Sequence, residues 1–256
     1  MKHLVKLIKE KYKLIIGILA AYVFVVSILY LGFYFFKIPE NAYISFPGPV
    51  TALSEDVVMD DETNLYRVGV YQLRVIDRWD FVEYMWEHKD FVGQYTYQTF
   101  DSTREMVVNS LKTEIEYGEL KIEKYDVIGN YLIQRYGEKK AVSMYNLVKF
   151  PDDSTGNSDS LAITLSLIGE NEDASWAHAK EKVVITGNIN ANGNVLPIGS
   201  AGLKALSALE LGASAFIVPK ENYEEASTFI NDESDLNIIP VTTIDEAIDW
   251  LHTNIQ

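Results

Sequence analysis

"VVITGNINANGNVLPIGSAGLKALSALELGASAFIVPKENYEEA", residues 183–226, sets the architecture of the C-terminal half. A β-rich run leads to Asn192-Gly193, the kind of dipeptide that supplies positive φ in a tight hairpin turn, and a second β-like run follows. Next come a Gly-rich turn, a helix almost free of charge apart from Lys204, a strand over 214–219 and a helix over 222–230. Working outward, "NIIPV" (237–241) reads as a strand and "TIDEAIDWLH" (243–252) as a final helix. On the other side, "KFPDDSTGNSD" (149–159) is a polar loop, and "SLAITLSLIGE" (160–170) is an apolar helix opened by a serine. Short strands alternating with helices predict an α/β half.

Upstream the pattern is more mixed, so the expected class for the whole is α+β or α/β. "LYRVGVYQLRVI" (65–76) is β-rich and predicts a strand or hairpin. In "RWDFVEYMWEHKDF" (78–91), Trp79, Phe81, Tyr84, Trp86 and Phe91 recur at helical spacing. That stripe reads as core, with a recognition surface as the other reading. "STREMVVNSLKTEIEYG" (102–118) is a helix capped by Ser102, with Glu105 three residues on in a capping-box pattern. "DVIGNYLIQRYG" (126–137) is a strand or a short helix. "IPENAYISFPGPV" (38–50) holds three of the seven prolines and reads as an extended stalk.

The first residues differ sharply from the rest. Residues 1–13 carry Lys2, Lys6, Lys9, Lys11 and Lys13 against one acid, Glu10, and residues 14–36 carry no charge. At about 1.5 Å per residue such a run is long enough for a bilayer core of roughly 30 Å. Lysines on its N-terminal side predict a cytoplasmic tail and an exported C-terminal domain. The run is longer than a signal-peptide core and lacks a small-x-small cleavage site, so an uncleaved anchor is expected. Setting that tail aside leaves 17 basic and 36 acidic residues, a net charge of about −19. Such a surface repels nucleic acid and anionic headgroups.

The remaining composition narrows the chemistry. With no cysteine there is neither a disulfide framework nor a thiol nucleophile, and the four histidines show no metal-ligand spacing. No Walker A motif and no G-x-G-x-x-G occurs, so no nucleotide cofactor is expected and no metal either. Two residues retain a chemical reading. Ser160 opens an apolar helix, where a serine ordinarily caps the first turn, but converging helix N–H groups also suit an oxyanion. Lys204 lies in a first turn, where the macrodipole disfavours a cation, and no acid adjoins it in sequence. Burial and dipole together lower a lysine's pKa and leave a neutral amine able to take a proton from a serine.

The same stretch resembles the C-terminal proteolytic domain of Lon proteases. The resemblance rests on Thr186-Gly187, "NVLPIGSAGLK" with Lys204, Gly212-Ala213, "FIVPKEN" and "IIPVTTIDEAIDWL", and covers about residues 150–254. It implies a Ser–Lys dyad with Lys204 as the base and Thr186 positioning the lysine. The family's G-P-S-A-G nucleophile motif lies some forty-odd residues upstream. Aligning Ile163-Thr164 with its continuation puts Ser160 at the nucleophile, with Ser158 the fallback if the register slips by two. The backbone amides of Ser160 and Leu161 would then form the oxyanion hole. In that register Ser158-Asp159 replaces Gly-Pro and Leu161-Ala162 replaces Ala-Gly, so Leu161 is expected to crowd the cleft and Asp159 to add charge there.

The expected organisation is a cytoplasmic tail (1–13), a transmembrane helix (14–36), a stalk (37–50), the N-terminal part of the exported domain (51–149) and a Lon-like proteolytic core (150–256). A single anchor before a Lon-like domain is similar to the membrane-anchored Lon-like proteases of Gram-positive bacteria. Those usually carry a PDZ domain, for which residues 120–150 leave too little room. The implied function is a membrane-anchored, ATP-independent serine endopeptidase acting outside the cytoplasm on protein or peptide substrates near the bilayer. The alternative is a disabled domain serving as a tethered binding module. The resemblance also implies homo-oligomers, hexameric rings among them.

Overall fold

The computed structural model describes residues 16, 19–27, 40–59, 63–87, 95–149, 156–230 and 234–255. Residues 19–27 are helical (α1), with Leu19, Tyr22 and Phe24 exposed. Among the described residues no helix is long and apolar enough to cross a membrane. The tail and most of the expected span at 14–36 lie outside the described residues.

A six-stranded sheet, in the order β3-β1-β2-β4-β7-β8, organises the rest. Its strands are β1 (Ala42–Ala52), β2 (Leu65–Val75), β3 (Thr96–Thr99), β4 (Val183–Ile185), β7 (Ala215–Pro219) and β8 (Asn237–Val241). β1 pairs antiparallel with both β2 and β3, whereas β2–β4, β4–β7 and β7–β8 are parallel. β5 (Asn188–Ile189) and β6 (Val195–Leu196) form a separate hairpin, its turn reached through Gly193 at φ 81°, as Asn192-Gly193 predicts.

Alternation along the short parallel strands explains why helices cover both faces. Val183 and Ile185 of β4, with Ala215 and Ile217 of β7, face one core; Val184, Phe216 and Val218 face the other. The first core is covered by α5 (Ser160–Glu172) and α8 (Ile244–Asn254), the second by α6 (Ala201–Glu210) and α7 (Tyr223–Thr228). α6 lies close to the sheet because it presents Ala201, Ala205 and Ala208 to it. Strands buried on both faces read as the continuous apolar runs seen in "VVI" and "AFIVP".

Three sequence readings change. The described part of the expected stalk is instead largely a sheet strand: Ala42, Ile44 and Phe46 alternate inward and are fully buried, while Pro47 and Pro49 sit where the β1–β2 register shifts; residues 37–39 lie outside the described residues. Residues 126–136 are the end of α3 (Thr103–Tyr136), a 34-residue helix whose Tyr125, Ile128 and Leu132 pack into the first core. Ser102 caps that helix as expected, accepting from Glu105 N at 3.2 Å, and the helix stops at Gly137, φ 80°. The aromatic stripe divides: on α2 (Arg78–Glu87), Phe81 is buried and Tyr84 stacks on Phe46 at 4.8 Å, while Trp79 and Trp86 are 68% and 74% exposed. Phe91 lies outside the described residues. α4 (Glu138–Tyr145) completes the elements by packing along α3.

Candidate active site

Lys204 occupies the first turn of α6, its backbone N–H donating to Ser200 O at 3.1 Å. Ser200 enters the helix from the left-handed region, φ 57°, at the turn the sequence marks as Gly-rich. Two residues brace this entry. The Asn222 side chain makes reciprocal 2.9 Å hydrogen bonds with the backbone of Ile198, and Glu225 Oε1 accepts from Gly202 N at 3.2 Å. Neither stood out in sequence, because their role depends on α7 folding back beside α6.

The lysine side chain is 3% exposed and donates to Thr186 Oγ1 at 3.4 Å. Thr186 in turn donates to Ser158 O at 2.9 Å, and Gly187 N donates to the same carbonyl at 2.7 Å. Desolvation by burial holds the Lys204 amine down to about 8, with the charges of Asp159 and Glu225 pulling it partly back. The sequence reading that no acid adjoins this lysine therefore holds along the chain but not in space.

The two candidate serines have different surroundings. Ser160 is 1% exposed and is the first residue of α5 rather than its cap. Its hydroxyl donates to Gly187 O at 3.3 Å or Asn188 Oδ1 at 3.4 Å and accepts from Ile189 N at 3.1 Å. It ties α5 to the β5 hairpin. Ser158 is half-buried in the preceding turn and lines a cleft of about 590 Å³ together with Asp159, Asn188, Arg67 and Lys204. Residues 67–72 of β2 form one wall of the cleft and residues 197–200 form another. Ser158 and Lys204 thus line one opening, with the buried Thr186 bonded to both the lysine amine and the Ser158 carbonyl, while Ser160 points into the fold.

The expected oxyanion amides are already used. Ser160 N donates to Asn157 O and Leu161 N to Gly187 O, both at 3.0 Å. Leu161 does not crowd the cleft: it is fully buried in the first core against Gly187. Asp159 does reach the cleft, and its carboxylate accepts from Lys124 Nζ at 3.1 and 3.2 Å. Nothing in sequence distinguished Lys124 from other helical lysines. No group of three metal-ligating side chains occurs among the described residues. A second concavity, of about 470 Å³ at the α3–α4 junction, is lined by Ser143, Lys139 and Lys140, all exposed, so no desolvated base faces its serine.

Residues 148–253 match the family model of the Lon protease (S16) C-terminal proteolytic domain. The chain is 32% identical over 94 residues to the archaeal Lon protease of Halobacterium salinarum, covering 37% of this chain and 13% of that protein. It is 39% identical over 70 residues to the Lon protease of Chloroflexus aggregans, covering 27% of this chain and 8% of that protein. Against the archaeal Lon protease of Archaeoglobus fulgidus it is 29% identical over 94 residues, 37% of this chain and 15% of that protein. The chain therefore spans less than a sixth of the length of these curated relatives. Set against G-P-S-A-G, the stretch Gly156-Asn157-Ser158-Asp159-Ser160 keeps the first glycine and the serine, with the small Ser160 at the last glycine. That register, two residues from the one that selects Ser160, agrees with the cleft geometry.

Proposed function

We propose that the Lon-type proteolytic domain of residues 148–253 is an endopeptidase in which Ser158 is the nucleophile and Lys204 the general base. The observation that carries this reading is the buried Lys204 amine, held down to about 8, in the cleft that Ser158 lines. A substantial neutral fraction near pH 8 lets Lys204 accept the hydroxyl proton as Ser158 Oγ attacks the scissile carbonyl. The ammonium then protonates the leaving amine, and a water activated by the same lysine hydrolyses the acyl-enzyme. Thr186 orients the amine by accepting its hydrogen bond. The developing oxyanion meets the N-terminal dipole of α5.

The cleft wall along β2 suits an extended, unstructured segment of substrate. The uncharged run 14–36 behind five lysines supports a single-pass anchor with the domain outside the cytoplasm, so substrates near the membrane are favoured. The alternative of a disabled binding module drew on the altered motif around the serine and on the aromatic 78–91 segment; Leu161, expected to crowd the cleft, is in the core, whereas Trp79 and Trp86 are exposed.

Cleavage of an unstructured fluorogenic peptide tests the assignment. Ser158→Ala and Lys204→Ala are expected to lower kcat/KM by about 10³-fold or more, and Ser160→Ala by no more than about tenfold. Wild-type rates in Ser158→Ala would sink the Ser158 assignment. If only Ser160→Ala and Lys204→Ala lost activity, the nucleophile would be Ser160.

A further inference from the structure

We infer that Lys124 is a positioning residue for the nucleophile turn: its ammonium clamps the Gly156 carbonyl and the Asp159 carboxylate on either side of Ser158. The inference rests on Ser158 being the nucleophile. Lys124 comes from α3, 1% exposed, and donates to Gly156 O at 3.2 Å as well as to both Asp159 oxygens. A lysine taken this far out of water must be paired and hydrogen-bonded, and each of these partners belongs to the 156–159 turn. With Thr186 and Gly187 holding the Ser158 carbonyl, the turn is fixed at residues 156, 158 and 159.

The Asp159 side chain shows where this contact directs the turn. Asp159 is the N-cap residue of α5, yet its carboxylate makes no capping bond and turns to Lys124. A buried ion pair is a weak source of net stability, because desolvation offsets most of the attraction. Its consequence here is geometric and electrostatic. The pair sets the orientation of the turn and neutralises a carboxylate that lines the cleft where an oxyanion must form. The charged groups around Lys204 are Asp159 from the turn, Glu225 from α7 and, along the cleft wall, Arg67 of β2, which is paired with Asp56.

The test uses the full chain in detergent, with Lys124→Met, Asp159→Asn and the double variant Lys124→Met/Asp159→Ala. Turnover is normalised to active sites titrated with an acylating probe, and the Lys204 titration is followed by NMR of carbon-13-labelled lysine, which needs no turnover. Lys124→Met is expected to lower kcat by about a hundredfold with little change in KM, as a displaced nucleophile would. It also exposes Lys204 to the uncompensated Asp159 charge, so that the lysine titrates at higher pH. Asp159→Asn removes that charge and moves the titration to lower pH. The double variant, with both charges gone, should titrate between Lys124→Met and Asp159→Asn and recover at least about tenfold of the lost kcat. A pair that merely stabilised the fold would reduce the number of active sites and leave kcat per site, and the Lys204 titration of Lys124→Met, unmoved. That result, or a double variant no better than Lys124→Met, overturns the inference. Should Lys124→Met fail to fold, Asp159→Asn and the double variant still decide it by titration. A wild-type protein without hydrolysis would count against the peptidase reading alone, since the titration shifts report on the clamp independently.

Discussion

At the scale of single residues, the site is built on placing a lysine where it is uncomfortable. Burial lowers Lys204 from its ordinary 10.5 to about 8, so the folded chain must exclude a proton that the unfolded chain holds throughout that window. Stability therefore rises with pH between 8 and 10.5, and below 8 the folded state carries the full penalty, about 3 kcal/mol for a shift of this size. Lys204→Met should abolish hydrolysis and stabilise the protein at pH 7 by up to about 3 kcal/mol. Denaturant melts of variant and wild type should converge as the pH is raised toward 10.5. In the wild type, kcat/KM should climb with pH, reaching half its maximum at about 8 as Lys204 loses its proton, and level off above that. An unchanged melting difference at high pH would show that the gain comes from packing rather than from removal of a buried charge. The oddity of this lysine was legible in the sequence because its neighbours are apolar. Which of Ser158 and Ser160 lines the cleft was not, because the two positions differ only in that one lies in the turn before α5 and the other begins the helix.

Helices and strands have their own reasons, separable from the chemistry. α5 is apolar on nearly every side because it is packed between the sheet, α3 and α8, and Ser160 fastens its start to the β5 hairpin. Gly169 lies where α5 meets the fully buried Trp176: an added Cβ would sit 2.8 Å from its ring and 2.7 Å from Ala177 Cβ. Gly169→Ala gains about 1 kcal/mol in helix propensity and loses about 1–3 kcal/mol to overpacking. The melting temperature should fall, while kcat at permissive temperature stays at the wild-type value, since Gly169 is about three turns along the helix from Ser158. A stabilised Gly169→Ala protein would mean that Trp176 has room to retreat. On α2, Phe81 and Tyr84 at i and i+3 face the sheet, whereas Trp79 and Trp86 at i and i+7 share the opposite face. Aromatic identity alone did not separate the two faces. The strand reading of 126–137 failed for a related reason: its β-branched and aromatic residues lie at helical spacing when joined to Tyr125 upstream.

For the whole molecule, β2 paired with β4 makes one sheet out of the N-terminal and C-terminal halves, so the cleft has walls from both. The matched family segment begins at residue 148, yet Lys124 and β2 come from before it. Shortening the chain to the matched segment would remove a cleft wall. Removing residues 1–39 is different, because β1 begins at Ala42. Full-length protein is expected to remain in the membrane pellet after alkaline carbonate extraction, and the protein lacking 1–39 to appear in the supernatant with its peptidase activity intact. Carbonate release of the full chain would refute the anchor.

By itself the sequence determined the alternation of strands and helices after residue 150, the hairpin at Asn192-Gly193, the capped start of α3 and the apolar setting of Lys204. These are local matters of periodicity, turn chemistry and a charge without neighbours along the chain. The tertiary structure alone decided that the proline-rich segment is a strand, that Leu161 leaves the cleft open, and that Ser158 faces it while Ser160 does not. It alone brought Lys124 to Asp159, 35 residues away. Such pairings depend on which elements pack together, and a one-residue change in direction at a turn reverses what a side chain meets.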